Sequence, residues 1–587
     1  MLYQQPAVPW SPGGNVMKPR SYRLRIPHIL LAGVVFACGG CASSSATPMI
    51  GSDFGLVVRT DKGAVQGVVR NGVQEFRGVP FAAAPVGELR WTMPQPAVPW
   101  DGVKDATRFG SACAQQARYS LTQESLDEDC LTLNISRPTD IKPGEKLPVF
   151  FWIHGGAFVG GASSLYRLDK LANEGRLVVV SANYRLGVFG FMAHPAFAAA
   201  TNGDLGLEDQ RLAMAWVQRN SAAFGGDPDN VTIAGESSGG GSVCMHLLSP
   251  ERVTGLFHKA IVQSAGCLQP MPTIQESLAS SSALWKKVAA KVGCDTGATA
   301  DSVASLACMR GKKVEDLLTA QGEASSGVMS FGPTIGNSTV PRSGTVAAAS
   351  GDLVKVPLLM GGTRDELRLY TAYAILFPSA ASPTPKPPFT REAVYSFWLP
   401  YFYGADKTHY DFIYNHYFGT GEGQLGLGIS GATVGSMASD RAPVVGINNC
   451  LYLNTSDAFG KWVPALYQFE FADKNAPVLG VGIAKGMDPG FELGAVHSSE
   501  LNYLFPKLSS TTAIDGPDLQ PASQLLADQM VAYWASFART GNPTVSGLPF
   551  WPGYSGGATV MLLNPGNVGP YDAATRHQCG FWQTIYP

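Results

Sequence analysis

Two hydrophobic patterns run along this chain. The first is the unbroken apolar run, seen at Leu147–Ile153, Leu177–Ser181, Val231–Ala234, Ala260–Val262, Val356–Met360 and Leu466–Phe471. Strands buried on both faces read this way, because neither face presents polar side chains to water. The second is short alternation near the start, at Leu56–Thr60, Gly63–Val69 and Val73–Phe81, which predicts an antiparallel edge to a sheet. Between the runs lie stretches of helical period such as Asp209–Gln218. Strands alternating with helices predict an α/β fold, a mainly parallel central sheet with helices on both faces. Phe377–Pro388 is rich in Pro, Ser and Ala and predicts a surface loop, and the aromatic stretch Tyr395–Tyr403 reads either as the core of a helical subdomain or as the rim of a pocket. With no internal repeat, one domain over residues 53–587 is expected.

The N-terminal 45 residues follow neither pattern. After a 16-residue extension, Met17–Arg25 is basic and Ile29–Ala37 is apolar, too short to span a bilayer as an ordinary helix and followed by small residues. Residues 1–45 therefore read as a leader, a cleaved secretory signal. Cys38-Gly39-Gly40-Cys41-Ala42-Ser43 resembles a bacterial lipoprotein cleavage site, with Cys41, or else Cys38, as the residue that would be lipidated and tie the protein to a membrane; Cys38 stands where such sites prefer leucine. The expected location is exported, periplasmic or secreted. Removing the leader leaves eight of the ten cysteines, an even number that suggests disulfides in an exported chain, and none has zinc-site spacing. A net charge of −2, with no dense Lys/Arg run in the body of the chain, excludes nucleic acid as a partner.

The candidate chemistry begins at Val231–Gly241. A β-branched run meets Gly235-Glu236-Ser237-Ser238-Gly239, and Ser242–Leu248 beyond it reads as a helix. Strand, tight turn and helix in that order make a nucleophile elbow, in which the serine takes a strained left-handed conformation and its neighbours must be small. The bare G-x-S-x-G pattern is weak, since a chain with this much glycine contains it by chance on the order of once. Gly553-Tyr554-Ser555-Gly556-Gly557 also matches, but Trp551-Pro552 precedes it and the strand-like Ala558–Leu563 follows. Context therefore selects Ser237.

A serine hydroxyl needs a base, and the base needs a group to orient it. Six histidines follow Ser237: His246, His258, His409, His416, His497 and His577. His497 stands apart, on a glycine-containing loop after the last long apolar run, where a ring can swing over the sheet edge. For the acid, Val356–Met360 ends in Gly361-Gly362-Thr363-Arg364-Asp365-Glu366, and the residues alone do not choose between Asp365 and Glu366. His154-Gly155-Gly156-Ala157-Phe158, after the run ending at Ile153, offers backbone N–H groups to a developing oxyanion, and the N–H of Ser238 adds another. His154 itself reads as structural.

These residues resemble the type-B carboxylesterases, the family of para-nitrobenzyl esterases, cholinesterases, liver-type carboxylesterases and some fungal lipases. The likeness extends to Phe76–Phe81, Glu128–Ile135, Asn183–Gly187, Phe224–Pro228 and Thr540–Pro543, and so covers nearly all of the chain after the leader. It implies an α/β-hydrolase fold and a serine carboxylic-ester hydrolase acting through an acyl-enzyme, with no metal or organic cofactor and a small-molecule ester as substrate. It implies Ser237, Glu366 and His497 as triad, Gly156, Ala157 and Ser238 as oxyanion donors, and disulfides Cys113–Cys130, Cys294–Cys308 and Cys450–Cys579, leaving Cys244 and Cys267 as buried free thiols or, if geometry allows, a further bonded pair. Ser238 replaces the family's usual alanine. The Cys113–Cys130 loop lacks the tryptophan with which cholinesterases hold a quaternary ammonium, so choline esters are not the expected substrate. A lipase acting on long-chain esters is the alternative within the same chemistry, and a non-catalytic cholinesterase-like adhesion protein is the alternative from another class. No protein partner is inferable from the sequence.

Overall fold

The apolar runs become the middle of one sheet. The computed structural model describes residues 55–586 apart from 118–123, 199–201, 280–282, 296–301, 326–330, 379–383, 420–428, 480–486 and 509–517. The leader and Cys41 lie outside the described residues, as does part of the Phe377–Pro388 loop. The strands are β1 (Val57–Arg59), β2 (Ala64–Gln66), β3 (Val68–Arg70), β4 (Val73–Pro80), β5 (Val103–Asp105), β6 (Thr132–Pro138), β7 (Leu147–Ile153), β8 (Val178–Ala182), β9 (Gly226–Glu236), β10 (Lys259–Gln263), β11 (Leu358–Thr363), β12 (Leu466–Phe471), β13 (Val560–Asn564) and β14 (Asn567–Tyr571). Eleven of them form the main sheet in the order β14-β13-β12-β11-β10-β9-β7-β8-β6-β4-β3. From β8 to β13 every neighbouring pair is parallel.

Along β7, Leu147, Val149, Phe151 and Ile153 enter one core, while Phe150 and Trp152 enter another on the opposite face. The same division separates Val178 and Val180 from Val179, and Ala260 and Val262 from Ile261. Alternating side chains with both faces covered is the physical content of the unbroken runs. The helix Leu205–Asn220 covers the first face through Met214, Trp216 and Val217, and the helix Pro521–Thr540 covers the second through Met530, Trp534 and Phe537. The aromatic stretch at 395–403 supplies a third core, in which Trp398, Leu399, Phe402 and Tyr403 are buried.

The N-terminal edge differs in detail from its expectation. β3 and β4 extend the main sheet antiparallel beside β6, but β1 pairs with β2 and β2 with β5 in a separate three-stranded sheet. The chain changes sheets at Gly67, where a Cβ would lie 2.6 Å from the Glu75 carbonyl and 2.7 Å from the Phe76 ring. Alternation marks a strand but not its partner, so pattern alone does not divide the two sheets.

Cys113–Cys130, Cys294–Cys308 and Cys450–Cys579 are bonded. Cys244 and Cys267 are also bonded, which corrects the expectation of free thiols. Cys244 lies on the helix after β9 and Cys267 just beyond the adjacent β10, and their Cα atoms come within 5.0 Å, inside the span of a disulfide. Among the described residues no helix is long and apolar enough to cross a membrane.

Candidate active site

Strand register brings the expected site residues to one end of the sheet. Ile153, which ends β7, pairs with Gly235 of β9; Glu236 pairs with Gln263 of β10, which in turn pairs with Gly361 of β11. The loop after β7, the turn after β9 and the turn after β11 therefore emerge side by side at the carboxyl ends of parallel strands, where sites in such sheets collect.

Ser237 lies directly between β9 and the helix Ser238–Leu247, with φ 58° and ψ −125°. A non-glycine residue held in so sparsely populated a conformation costs about 1–3 kcal/mol, so its surroundings must enforce it. They do so by contact on both flanks. A Cβ on Gly235 would lie 2.5 Å from the carbonyl of Gly239, and one on Gly239 would lie 2.1 Å from the Ile153 carbonyl oxygen. Ser237 N–H donates to the Gln263 carbonyl at 3.0 Å, and Ser237 keeps solvent access while its neighbours on β9 are buried. Ser555, in the rejected match, precedes a 3-10 turn and then β13, with no helix behind it.

The loop after β7 packs onto this turn: a Cβ on Gly155 would come 3.2 Å from the Ser237 Cβ. Gly156, Ala157 and Phe158 have φ of 120°, 55° and 60°, which turns the backbone of this loop inside out. Among the described residues, no acceptor takes the N–H of Gly156, Ala157 or Ser238. The His154 ring stacks on Tyr184 at 4.3 Å, and Tyr184 Oη donates to the His154 carbonyl at 2.8 Å. Burial lowers the His154 imidazole to about 4, leaving it a neutral packing group. The hydroxyl that distinguishes Ser238 from alanine is buried beside Tyr184.

His497 Nδ1 lies 2.7 Å from Glu366 Oε2. With a carboxylate as partner, Nδ1 carries a proton. The other carboxylate oxygen, Oε1, accepts from Thr363 N at 2.9 Å and Tyr452 Oη at 3.0 Å. This fold-back needs Gly362, where a Cβ would lie 2.4 Å from Oε1. Asp365 instead laces the acid and histidine loops together. Its Oδ2 accepts from Ala495 N at 3.0 Å, its own N–H donates to the Ala495 carbonyl at 2.8 Å, and Arg368 lies 3.1 Å from its Oδ1. Of the other histidines, His246 is buried against Gln210, and His258 Nδ1 accepts from the Val231 N–H.

Three residues at the site fell outside the sequence reading of it. Glu236 Oε1 lies 3.2 Å from His497 Nε2 and accepts from Ser498 Oγ at 2.5 Å. Glu500 is fully buried and accepts from Gln263 Nε2 at 3.1 Å. Each adjoins or lies close in sequence to a residue that was singled out, but only the fold shows Glu236, Glu366 and Glu500 converging on one imidazole. Burial raises Glu500 to about 8, with Glu236 and Glu366 adding to the rise, and burial likewise raises Glu236. For His497 burial acts the other way, yet Glu236, Glu366 and Glu500 outweigh it and raise the imidazole to about 9. The arrangement favours an imidazolium at this position. Tyr370 adds an aromatic ring 5.7 Å from that of His497.

Residues 55–582 match the family model described as Carboxylesterase family. The chain is 33% identical to a para-nitrobenzyl esterase of Bacillus subtilis (strain 168), covering 85% of this chain and 92% of that one. It is 31% identical to the human cocaine esterase over 97% of each chain, and 31% identical to a fumonisin B1 esterase of Sphingopyxis macrogoltabida over 86% of each. A match of this extent, over a mainly parallel sheet that carries both a strained serine and a buried histidine–glutamate pair, shows that the chain belongs to the carboxylesterase family and is a carboxylic-ester hydrolase.

Proposed function

We propose that Ser237, His497 and Glu366 are the catalytic triad and that the N–H groups of Gly156, Ala157 and Ser238 form the oxyanion hole. The observation that carries this reading is the buried Glu366–His497 hydrogen bond at the sheet end where Ser237 is strained outward. In the reaction, Ser237 Oγ attacks the ester carbonyl carbon and its proton passes to His497 Nε2, while Nδ1–H stays bonded to Glu366. The carbonyl oxygen becomes an oxyanion and accepts the unpaired N–H groups; removal of one such donor typically costs about a hundredfold or more in rate. Collapse of the intermediate returns the proton from His497 to the leaving alcohol and leaves Ser237 acylated. Water, deprotonated by His497, then releases the acid.

The substrate is a small-molecule carboxylic ester, in keeping with the relatives' esterase activities. The preferred acyl length is read from para-nitrophenyl esters graded from acetate to palmitate, assayed with wild type and Ser237→Ala in parallel. A short-chain optimum that vanishes in Ser237→Ala supports a general carboxylesterase, and a long-chain optimum supports the lipase alternative. Turnover retained by Ser237→Ala refutes the assignment.

The four disulfides are consistent with an exported protein. Residues 1–45 would be the leader, residues 53–587 a single catalytic domain, and Cys41 a lipid anchor. Recovery of the mature protein in the aqueous phase of a detergent extraction counts against lipidation.

A further inference from the structure

Far from Ser237 in sequence, His577 is buried between two carboxylates. Its Nδ1 lies 2.6 Å from Asp440 Oδ1 and its Nε2 lies 2.6 Å from Glu470 Oε2. A neutral imidazole has one N–H, and would turn a lone pair toward one of these oxygens at hydrogen-bond distance. With both carboxylates ionised, both contacts are satisfied only by a ring carrying two protons.

The carboxylates belong to the elements that hold Glu366. From β12, Glu470 Oε1 pairs with Arg364 Nε at 2.7 Å, two residues before Glu366. From the end of the helix Gly431–Asp440, Ser439 Oγ accepts the Leu367 N–H at 2.9 Å, one residue after Glu366. Asn449 Nδ2 ties the same pieces together, reaching the Thr363 and Arg364 carbonyls at 3.2 Å and that of Ser439 at 3.3 Å. The turn carrying Glu366 is thus gripped on one side by β12 and on the other by this helix, and His577 joins the two grips.

We propose that His577 is a positioning residue for ester hydrolysis: held as an imidazolium between Asp440 and Glu470, it locks together the two elements that set the Glu366 turn. This rests on the reading of Glu366 as the triad acid.

The surrounding charges fit. Glu470 faces His577 and Arg364, and Tyr571 lies with its ring 5.8 Å from the Arg364 guanidinium. Asp440 faces His577 and accepts from Tyr417 Oη at 2.7 Å, which in turn accepts from Trp582 Nε1. Arg364, Glu470, His577 and Asp440 alternate in sign along this path. Burial opposes a charge on His577, but Glu470 and Asp440 raise it to about 9; burial opposes a charge on Glu470, but His577 and Arg364 hold it at about 2. The Cys450–Cys579 bond fastens the segment after His577 to the helix Asn449–Phe459, which also supplies Tyr452 to Glu366.

The test uses the full-length enzyme, with competent serines counted by a fluorophosphonate so that kcat refers to active molecules. His577→Gln keeps two polar ends but no charge. It is expected to lower kcat about tenfold with KM held within about twofold, the signature of an interaction that matters only in the transition state. It is also expected to move the acid limb of kcat/KM down by about half a pH unit, because a displaced Glu366 holds the His497 proton less firmly. Loss of folded protein alone would scale the rate without moving that limb. Should His577→Gln fail to accumulate, wild-type enzyme labelled with 15N-histidine decides: two ring N–H protons on His577 at pH 8, assigned by their displacement in Asp440→Asn, support the proposal, and a single one overturns it. A His577→Gln profile superimposable on wild type, with Glu366→Gln inactive, overturns this inference alone. Glu366→Gln at full activity overturns the triad reading, and this inference with it.

Discussion

Glu236 is a lever on the basicity of His497 that can be pulled without breaking the Glu366–His497 hydrogen bond. Its Oε1 lies 3.2 Å from His497 Nε2, and its negative charge, with that of Glu366, raises the imidazole. At an effective dielectric constant of about 20, unit charges at that separation interact by roughly 5 kcal/mol. That figure is an upper bound, because burial raises Glu236 as well and the cluster does not hold a full charge on every carboxylate. A lowering of one to two pH units, about 1.4–2.8 kcal/mol, is the expected effect of Glu236→Gln. The amide keeps an acceptor for Ser498 Oγ, so geometry is conserved while charge is removed. The sign follows from the base being active when deprotonated. In wild type kcat/KM should climb as His497 loses its proton, toward about 9; in Glu236→Gln the climb should come earlier. The plateau should fall, because the imidazolium formed during attack loses its neighbour. The two profiles then converge toward acid pH instead of running parallel. Measuring kcat/KM on para-nitrophenyl acetate from pH 5 to 10 checks this, and an acid limb that stays put or moves up would falsify the electrostatic account of the site.

Gly239→Ala should abolish activity or folding, since its Cβ would meet the Ile153 carbonyl at 2.1 Å and prise the elbow from β7; a folded, active variant by circular dichroism and ester turnover would contradict the packing. Removing the Cys244–Cys267 link, by Cys244→Ser with Cys267→Ser, should cost about 3 kcal/mol for a closed loop of this size, with its sequence separation of 23; thermal unfolding that is unchanged counts against that bond. His497 and His577 are both raised in the fold to about 9. Their contribution to stability is complete below the unfolded imidazole value of about 6.5 and is lost progressively as pH rises to about 9, so the melting temperature of Ser237→Ala should drop between about pH 6.5 and 9 and level off above that.

What the sequence disclosed was local physics. Leu147–Ile153 announces a strand covered on both faces because every side chain in it is apolar, and Gly235-x-Ser237-x-Gly239 announces a crowded turn because only glycine fits there. What it withheld was pairing through space. Asp365 and Glu366 are chemically alike and adjacent, and only the fold sends one to the Ala495 backbone and the other to His497. Free thiols and a bonded pair both fit Cys244 and Cys267 on sequence, because nothing in either segment reports that β9 and β10 run side by side. His577 lies some 80 residues beyond His497, in a stretch with no motif, and its role exists only because β12 and the helix Gly431–Asp440 meet there.

The carboxylate cluster and the strained serine answer one another. Ser237 is held at φ 58° by a turn packed against Ile153, Gln263 and Gly239, so the nucleophile of the proposed triad is aimed by the backbone. The charge that would develop on His497 in the proposed mechanism is a different problem, because the ring is buried and water cannot solvate it. Glu366 orients the ring from one side, and Glu236 and Glu500 add negative potential around it, at the cost of burying carboxylates that burial itself pushes toward neutrality. Such a cluster persists only if its frame is stiff, since a small displacement would let the carboxylates take up protons and leave the imidazolium unsupported. The frame is built accordingly: parallel strands fix the ends of β7, β9 and β11, Asp365 ties the acid loop to the histidine loop, and the Arg364–Glu470–His577–Asp440 path braces that turn from behind.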